Sequence, residues 1–186
     1  MKPDYYEKVL CVVIHRCYTK ESKGMAKQKE VKTNAMRILE KKKIPFKHYT
    51  YECEEFIDGG QTADLLGLDH KIVFKTLVTI GIDKNYYVIV IPIDEELDLK
   101  KAAKAVGVKS VSMIHVKDIQ TVTGYIRGGS TAIGMKKQYR TIISDFAKEL
   151  EHMIVSGGRI GSQIELTPQG LCEACQGEFG QISLYK

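Results

Sequence analysis

The chain has 186 residues, with 28 Lys or Arg against 23 Asp or Glu and a formal net charge of +5. That length supports one domain with a substantial core and leaves little room for two. The 44% apolar fraction is ordinary for a globular protein, and no stretch is apolar for long enough to span a membrane.

The five cysteines are odd in number and irregularly spaced, which fits reduced thiols better than a disulfide framework. Val9–Ile14 is too short for a signal-peptide core, and His15-Arg16 follows it without a cleavage-like site, so the expected location is the cytoplasm. Positive charge is concentrated at Lys27–Lys47, Lys100–Lys109 and Lys136–Arg140, while the tail after Asp145 is mostly acidic. A positive face of this kind suits a polyanion such as RNA; a salt-screened lysine surface is the bland alternative.

In chain order, residues 1–31 read as an appendage, one added strand and a linker, with Met25 a candidate start of the core protein. The domain proper spans 32–186. Its first helix runs from about Asn34 to Lys43, capped by Thr33, with Ala35, Ile38 and Leu39 as its apolar stripe and Lys41–Lys43 at the end that favours cations. Ile44-Pro45 stops it, and Phe46–Tyr51 alternates as a strand. Asp58-Gly59-Gly60 reads as a turn, followed by a short helix Thr62–Leu66 with Thr62 as cap and Gly67 as terminator.

Ile72–Ile80, IVFKTLVTI, reads as a buried strand dominated by β-branched residues with one charge, Lys75, at its middle. Gly81–Asn85 turns the chain, and Tyr86–Ile93 returns as a second buried strand, the clearest hairpin signal present. Asp98 caps a helix ending at Gly107, with Lys100, Lys101 and Lys104 on its outer face. Val111–Val116 is a strand and Asp118–Val122 a short helix. The glycine-rich GYIRGGSTAIG, Gly124–Gly134, comes next. Arg140–Ser144 and His152–Val155 are strands separated by a brief helical stretch. Ser156-Gly157-Gly158 is a tight turn, Gln163–Leu166 a strand, and Thr167-Pro168 opens the last helix. Strands and helices mix without strict alternation, so the fold class is a mixed α/β (α+β) single domain.

Few residues carry chemistry. Lys75 is an ammonium among apolar neighbours, and burial obliges it to reach a carboxylate, a carbonyl or a ligand. A structural lysine with a buried stem and a solvated head satisfies the same pattern. The two glycine-rich turns allow close backbone approach to a ligand, but neither is a P-loop, a dinucleotide fingerprint or a nucleophile elbow. Cys172-Glu173-Ala174-Cys175 is a lone CxxC without the second ligand pair that structural zinc requires. No Ser–His–Asp signature, metal set or nucleotide loop stands out, so no metal or cofactor is expected. An enzyme built this way positions and polarises its substrate without an obvious nucleophile.

VFKTL at Val73–Leu77 resembles the lysine strand of the YbaK/EbsC-type aminoacyl-tRNA deacylases, the Cys-tRNA(Pro) deacylase family. KTNAMRILEKKKIPF (Lys32–Phe46), LDLKKAAKAVG (Leu97–Gly107), TGYIRGG (Thr123–Gly129), IGMKKQY (Ile133–Tyr139), IVSGGRIG (Ile154–Gly161) and QIEL (Gln163–Leu166) match in the same order. The resemblance covers Lys32 to Leu171. It implies a single domain with a central, partly barrel-like mixed sheet surrounded by helices, related to the editing domain inserted in some prolyl-tRNA synthetases. It implies hydrolysis of cysteine mischarged onto tRNA(Pro), and extension to Cys-tRNA(Cys), by attack of the substrate's own thiol on its ester. By motif, Lys75 is the essential lysine, and Tyr51, Thr76, Gly128, Gly129, Ser156 and Gln163 are the substrate-binding positions. Thr131-Ala132 stands where members often carry Ser-Pro, and Gln163 where some carry aspartate. tRNA(Pro) is the implied partner, with prolyl-tRNA synthetase a candidate second one. A deacylase for another small aminoacyl group, such as alanine, and a catalytically silent tRNA- or synthetase-binding module are the competing readings.

Overall fold

The computed structural model describes residues 14–18, 32–51 and 58–184. Strand β1, Ile14–Tyr18, precedes helix α1, Asn34–Lys42, whose N-cap Thr33 accepts a hydrogen bond from the Met36 amide. Lys43 ends that helix in the left-handed conformation, and the chain passes into β2, Phe46–Thr50.

Helix α2 spans Gly59–Leu66 and corrects the expected turn at Asp58–Gly60. Asp58, not Thr62, is its cap. The Asp58 carboxylate accepts from the Gln61 amide at 2.9 Å, and the Gln61 side chain accepts from the Asp58 amide at 3.2 Å. This reciprocal capping box outweighs the poor helix propensity of two glycines. Packing also favours Gly59, because a Cβ there would lie 2.3 Å from Ile93 Cδ1 and would force that side chain to shift.

A 3-10 turn at His70–Ile72 leads into β3, Phe74–Gly81, which forms the expected hairpin with β4, Tyr86–Pro92. Short β5, Glu96–Leu97, precedes α3, Leu99–Val106, capped by Asp98 and closed by Gly107. Strand β6 is confined to Val111–Met113 rather than reaching Val116, because a 3-10 turn at Val116–Asp118 starts the approach to α4, Ile119–Thr123. After the glycine-rich loop come β7, Arg140–Ser144, then β8, Met153–Ser156, and β9, Ser162–Leu166. Helix α5, Pro168–Cys175, has the expected Thr167 cap and Pro at its start. Strands β10, Glu178–Gly180, and β11, Ser183–Leu184, were not anticipated from the sequence.

The strands form a five-stranded mixed sheet in the order β10-β7-β4-β3-β6, a four-stranded antiparallel sheet β1-β2-β9-β8, and a two-stranded pair β11-β5. A parallel bridge between Val73 and Ile154 joins the two larger sheets where β3 begins. This is the part of the expected barrel-like character that exists: among the described residues, the sheets meet at that corner without closing.

Strand β4 is buried on both faces. Val88 and Val90 pack in one core with Met36 and Leu39 of α1, Ile164 and Leu166 of β9, and Leu171 of α5. Tyr87, Ile89 and Ile91 pack in a second core with Ala102, Ala103 and Val106 of α3. Each fully buried aliphatic side chain contributes about 1.5–3 kcal/mol. The hairpin carrying Lys75 is therefore anchored through its central partner strand.

Candidate active site

A cavity of about 610 Å³ opens over β3 at the corner where the two sheets meet. Residues Phe74–Val78 form its floor. The start of α2, from Asp58 to Thr62, and the Ile93-Asp94 segment beyond β4 form one wall. Met113, Ile114, Val116 and Ile119 line the opposite side, Arg127, Gly128 and Ser130 come from the glycine-rich loop, and Ser156 and Gln163 from the other sheet.

Lys75 sits half-buried on the floor. Its Nζ donates to the Ile93 carbonyl at 2.7 Å, the satisfaction that a buried ammonium demands. An ammonium has three protons to donate, so two remain for a ligand. Burial pulls the Lys75 pKa below its ordinary value, and the carboxylates of Asp94, Glu96, Glu95 and Asp58 partly restore it. The lysine thus faces a more acidic surround than the apolar pattern of its own strand suggested.

Of the positions expected from the sequence, Lys75, Thr76, Gly128, Ser156 and Gln163 line the cavity. Ser156 and Gln163 are cross-strand partners of β8 and β9, which brings residues from two motifs side by side. The Ser156 hydroxyl accepts from the Gly158 amide at 3.4 Å. Gly128 has φ +81°, a conformation that disfavours any side chain.

Tyr51 and Gly129 stand behind the wall instead. Tyr51 is buried, and its hydroxyl lies 3.3 Å from Thr62 Oγ1. Thr62 spends its own proton on the Asp58 carbonyl, so Tyr51 is the donor and props a lining residue from the rear. Gly129 is where the two glycine-rich turns touch, since a Cβ there would meet Arg159 Cα at 2.9 Å.

Sequence reasoning missed Asp58, Thr62, Asp94, Met113, Val116 and Arg127, all of which line the cavity. For Asp94 a signal existed. The hairpin register pairs Phe74 with Pro92, so the acidic run starting at Asp94 necessarily emerges beside the lysine end of β3. Asp94 is held there by His70, whose Nδ1 lies 3.0 Å from both of its carboxylate oxygens, while His70 Nε2 lies 3.1 Å from Asp64 Oδ1. Hydrogen bonding to Asp94 raises the His70 pKa above its ordinary value; partial burial opposes the rise and Asp64 adds to it.

The remaining cysteine pair is remote from this chemistry. Cys172 Sγ donates to the Gly177 carbonyl at 2.8 Å, and burial pushes the Cys175 thiol up to about 12. Both conditions keep a thiol protonated and inert. Cys53, the one cysteine expected near the pocket, lies outside the described residues. Among the described residues, no group of three His, Cys, Asp or Glu is placed to hold a metal ion. The described lining residues include hydroxyls but neither a histidine nor a cysteine. Such a site offers two cations, Lys75 and Arg127, two carboxylates, Asp58 and Asp94, and hydroxyls and backbone amides for orientation and charge stabilisation, and among the described lining residues no hydroxyl is hydrogen-bonded to a side-chain base.

Similarity to known proteins extends over most of the chain. A profile of the aminoacyl-tRNA editing domain matches residues 58–174. A protein of Enterococcus faecalis, EbsC, named as a Cys-tRNA(Pro)/Cys-tRNA(Cys) deacylase, is 46% identical over 161 residues, covering 86% of this chain and 98% of that one. Two crystal structures share the fold. One, described as a trans-editing enzyme for prolyl tRNA synthetase, has a TM-score of 0.69 at 17% identity, covering 82% of this chain and 99% of its own. The other, a hypothetical protein, has a TM-score of 0.72 at 19% identity, covering 80% and 97%.

Proposed function

The chain belongs to the aminoacyl-tRNA editing-domain family, and on that premise we propose that it deacylates cysteine mischarged onto tRNA(Pro). The observation that carries the reading is a cavity with a half-buried ammonium, Lys75, and no nucleophile–base pair among its described lining residues. Chemistry that needs no enzyme nucleophile uses one from the substrate. Cysteine esters contain one: the side-chain thiol, as thiolate, attacks its own carbonyl carbon. A sulfur–carbon bond forms as the ester carbon–oxygen bond breaks, the departing ribose oxygen takes up a proton, and the resulting thiolactone is opened by water to free cysteine.

The protein's contribution is orientation and electrostatics. The two free protons of Lys75 address the ester carbonyl, where negative charge develops. The backbone at Gly128 borders the terminal nucleotide and aminoacyl group. Ser156 and Gln163, paired across β8 and β9, define the far wall. The basic clusters supply phosphate contacts for the tRNA body.

The test is deacylation of tRNA(Pro) charged with cysteine, alanine or serine by the purified protein. Rapid release of cysteine with alanine and serine esters spared is the expected result. Preferential release of alanine would assign the alanine-specific activity. Stable binding of charged tRNA with all three esters intact would mark a non-catalytic binding module.

A further inference from the structure

Asp94 and His70 form an arrangement that the deacylation scheme above does not use. The segment after β4 contributes two groups in succession. The Ile93 carbonyl accepts from Lys75 Nζ, and the next side chain, Asp94, lines the same cavity. Both Asp94 oxygens are held by His70 Nδ1 at 3.0 Å. On its other side, His70 Nε2 meets Asp64 of α2 at 3.1 Å. A neutral imidazole has one N–H, so facing two carboxylates requires the doubly protonated ring. The groups surrounding it are consistent: Asp64 faces it from α2, Asp94 from the segment after β4, and Asp69 and Lys71 flank it on its own turn.

A carboxylate has about four lone-pair sites and His70 Nδ1 engages one side of it. The Asp94 side chain is 67% exposed, so the other side is open. An aminoacyl ester presents an α-ammonium on the carbon next to its carbonyl. Lys75 addresses that carbonyl, and the carboxylate carried beside its acceptor Ile93 suits the adjacent positive charge. We propose that Asp94 receives the α-ammonium of the aminoacyl group and that His70 is the positioning residue that fixes the Asp94 carboxylate for it. The site would then read a free amino terminus, excluding N-acylated and peptidyl esters. This inference rests on the deacylase reading.

The experiment compares tRNA(Pro) carrying cysteine with the same tRNA carrying 3-mercaptopropionate, which keeps the thiol and lacks the amine. The wild-type protein should show a KM about tenfold lower for the cysteinyl ester, the scale of one charge-assisted hydrogen bond. Asp94→Asn should raise the cysteinyl KM to the level of the amine-free ester, leaving the latter and kcat near their wild-type values. His70→Ala should act on KM in the same direction, and His70→Asn, whose amide can donate from near the Nδ1 position, should recover most of the loss. Equal KM for the two esters in the wild type, or an equal loss on both in Asp94→Asn, overturns the ammonium subsite while the deacylase reading stands. Absence of activity on either ester overturns both.

Discussion

Replacing Lys75 with methionine separates the catalytic reading of this residue from the structural one, because the two predict opposite signs for stability. Of the three Nζ protons, the Ile93 carbonyl takes one at 2.7 Å. The other two are the donors assigned to the ester oxygen. Deleting a donor to a developing oxyanion typically costs 10²–10³ in rate, about 2.7–4 kcal/mol, and that loss is expected in kcat/KM on Cys-tRNA(Pro). Stability should move the other way. Burial lowers the Lys75 pKa from its ordinary 10.5, so at neutral pH the charged form is penalised by folding. The unfolded chain binds the proton more tightly, and wild-type stability therefore rises with pH between the lowered folded value and 10.5. Methionine fills the stem's space without that penalty. The variant should melt at or above the wild-type temperature at neutral pH, and the difference should shrink in alkali. Release of labelled cysteine and thermal unfolding by circular dichroism measure the two effects. A folded variant with near-wild-type turnover, or one that is inactive only because it melts well below the wild type, refutes the argument.

Affinity for tRNA should fall log-linearly with salt, by about 0.7–0.9 logarithmic units of K per phosphate contact and per tenfold in salt; a flat response between about 50 and 300 mM would show that the basic clusters face away from the RNA. Glu165→Gln tests a buried carboxylate. Burial tends to raise the Glu165 carboxyl, but hydrogen bonds from Lys47, at 2.7 Å, and Tyr49 hold it below 4.5. Its stabilisation is present above that value and lost as pH falls through the folded one, so the glutamine variant should be less stable near neutrality and show a shallower acid limb in denaturant titrations; an unchanged acid limb counts against the assignment. Replacing all five cysteines should leave Cys-tRNA deacylation largely intact, with alanine at buried Cys175 and serine elsewhere. Serine esters should remain uncut, because a hydroxyl is a far weaker nucleophile than a partly ionised thiol.

What the sequence made legible follows from where its signals are local. The β3–β4 hairpin, the caps at Thr33, Asp98 and Thr167 and the terminating Gly67 and Gly107 all depend on residues within a few positions of one another. Helix α2 was misread at its start because its two glycines read as a turn, while the Asp58–Gln61 capping box starts the helix there and Gly59 packs against Ile93, more than thirty positions away. The short strands β5, β10 and β11 have no periodicity of their own and exist through their partners. The site shows the same division. Lys75 was visible as a charge in an apolar strand. Ser156 and Gln163 became neighbours only through β8–β9 register, and Tyr51 went from lining to support because Thr62 stands in front of it. Asp94 and its histidine clamp required the hairpin register and α2 together.

The absence of a base-paired nucleophile among the described lining residues bears on how an editing site can be selective. A cavity of about 610 Å³ is far larger than a cysteinyl group, and fit alone separates small aminoacyl groups by only about 1–3 kcal/mol per methylene. An enzyme-borne nucleophile in such a space would cleave correctly charged esters along with incorrect ones. When the attacking atom belongs to the substrate, the cavity need only hold the ester, stabilise its oxyanion through Lys75 and exclude disorder around the thiol. Discrimination then comes from the chemistry of the side chain, and a spacious pocket with an ammonium on its floor and no hydroxyl paired with a base suits such a division of labour.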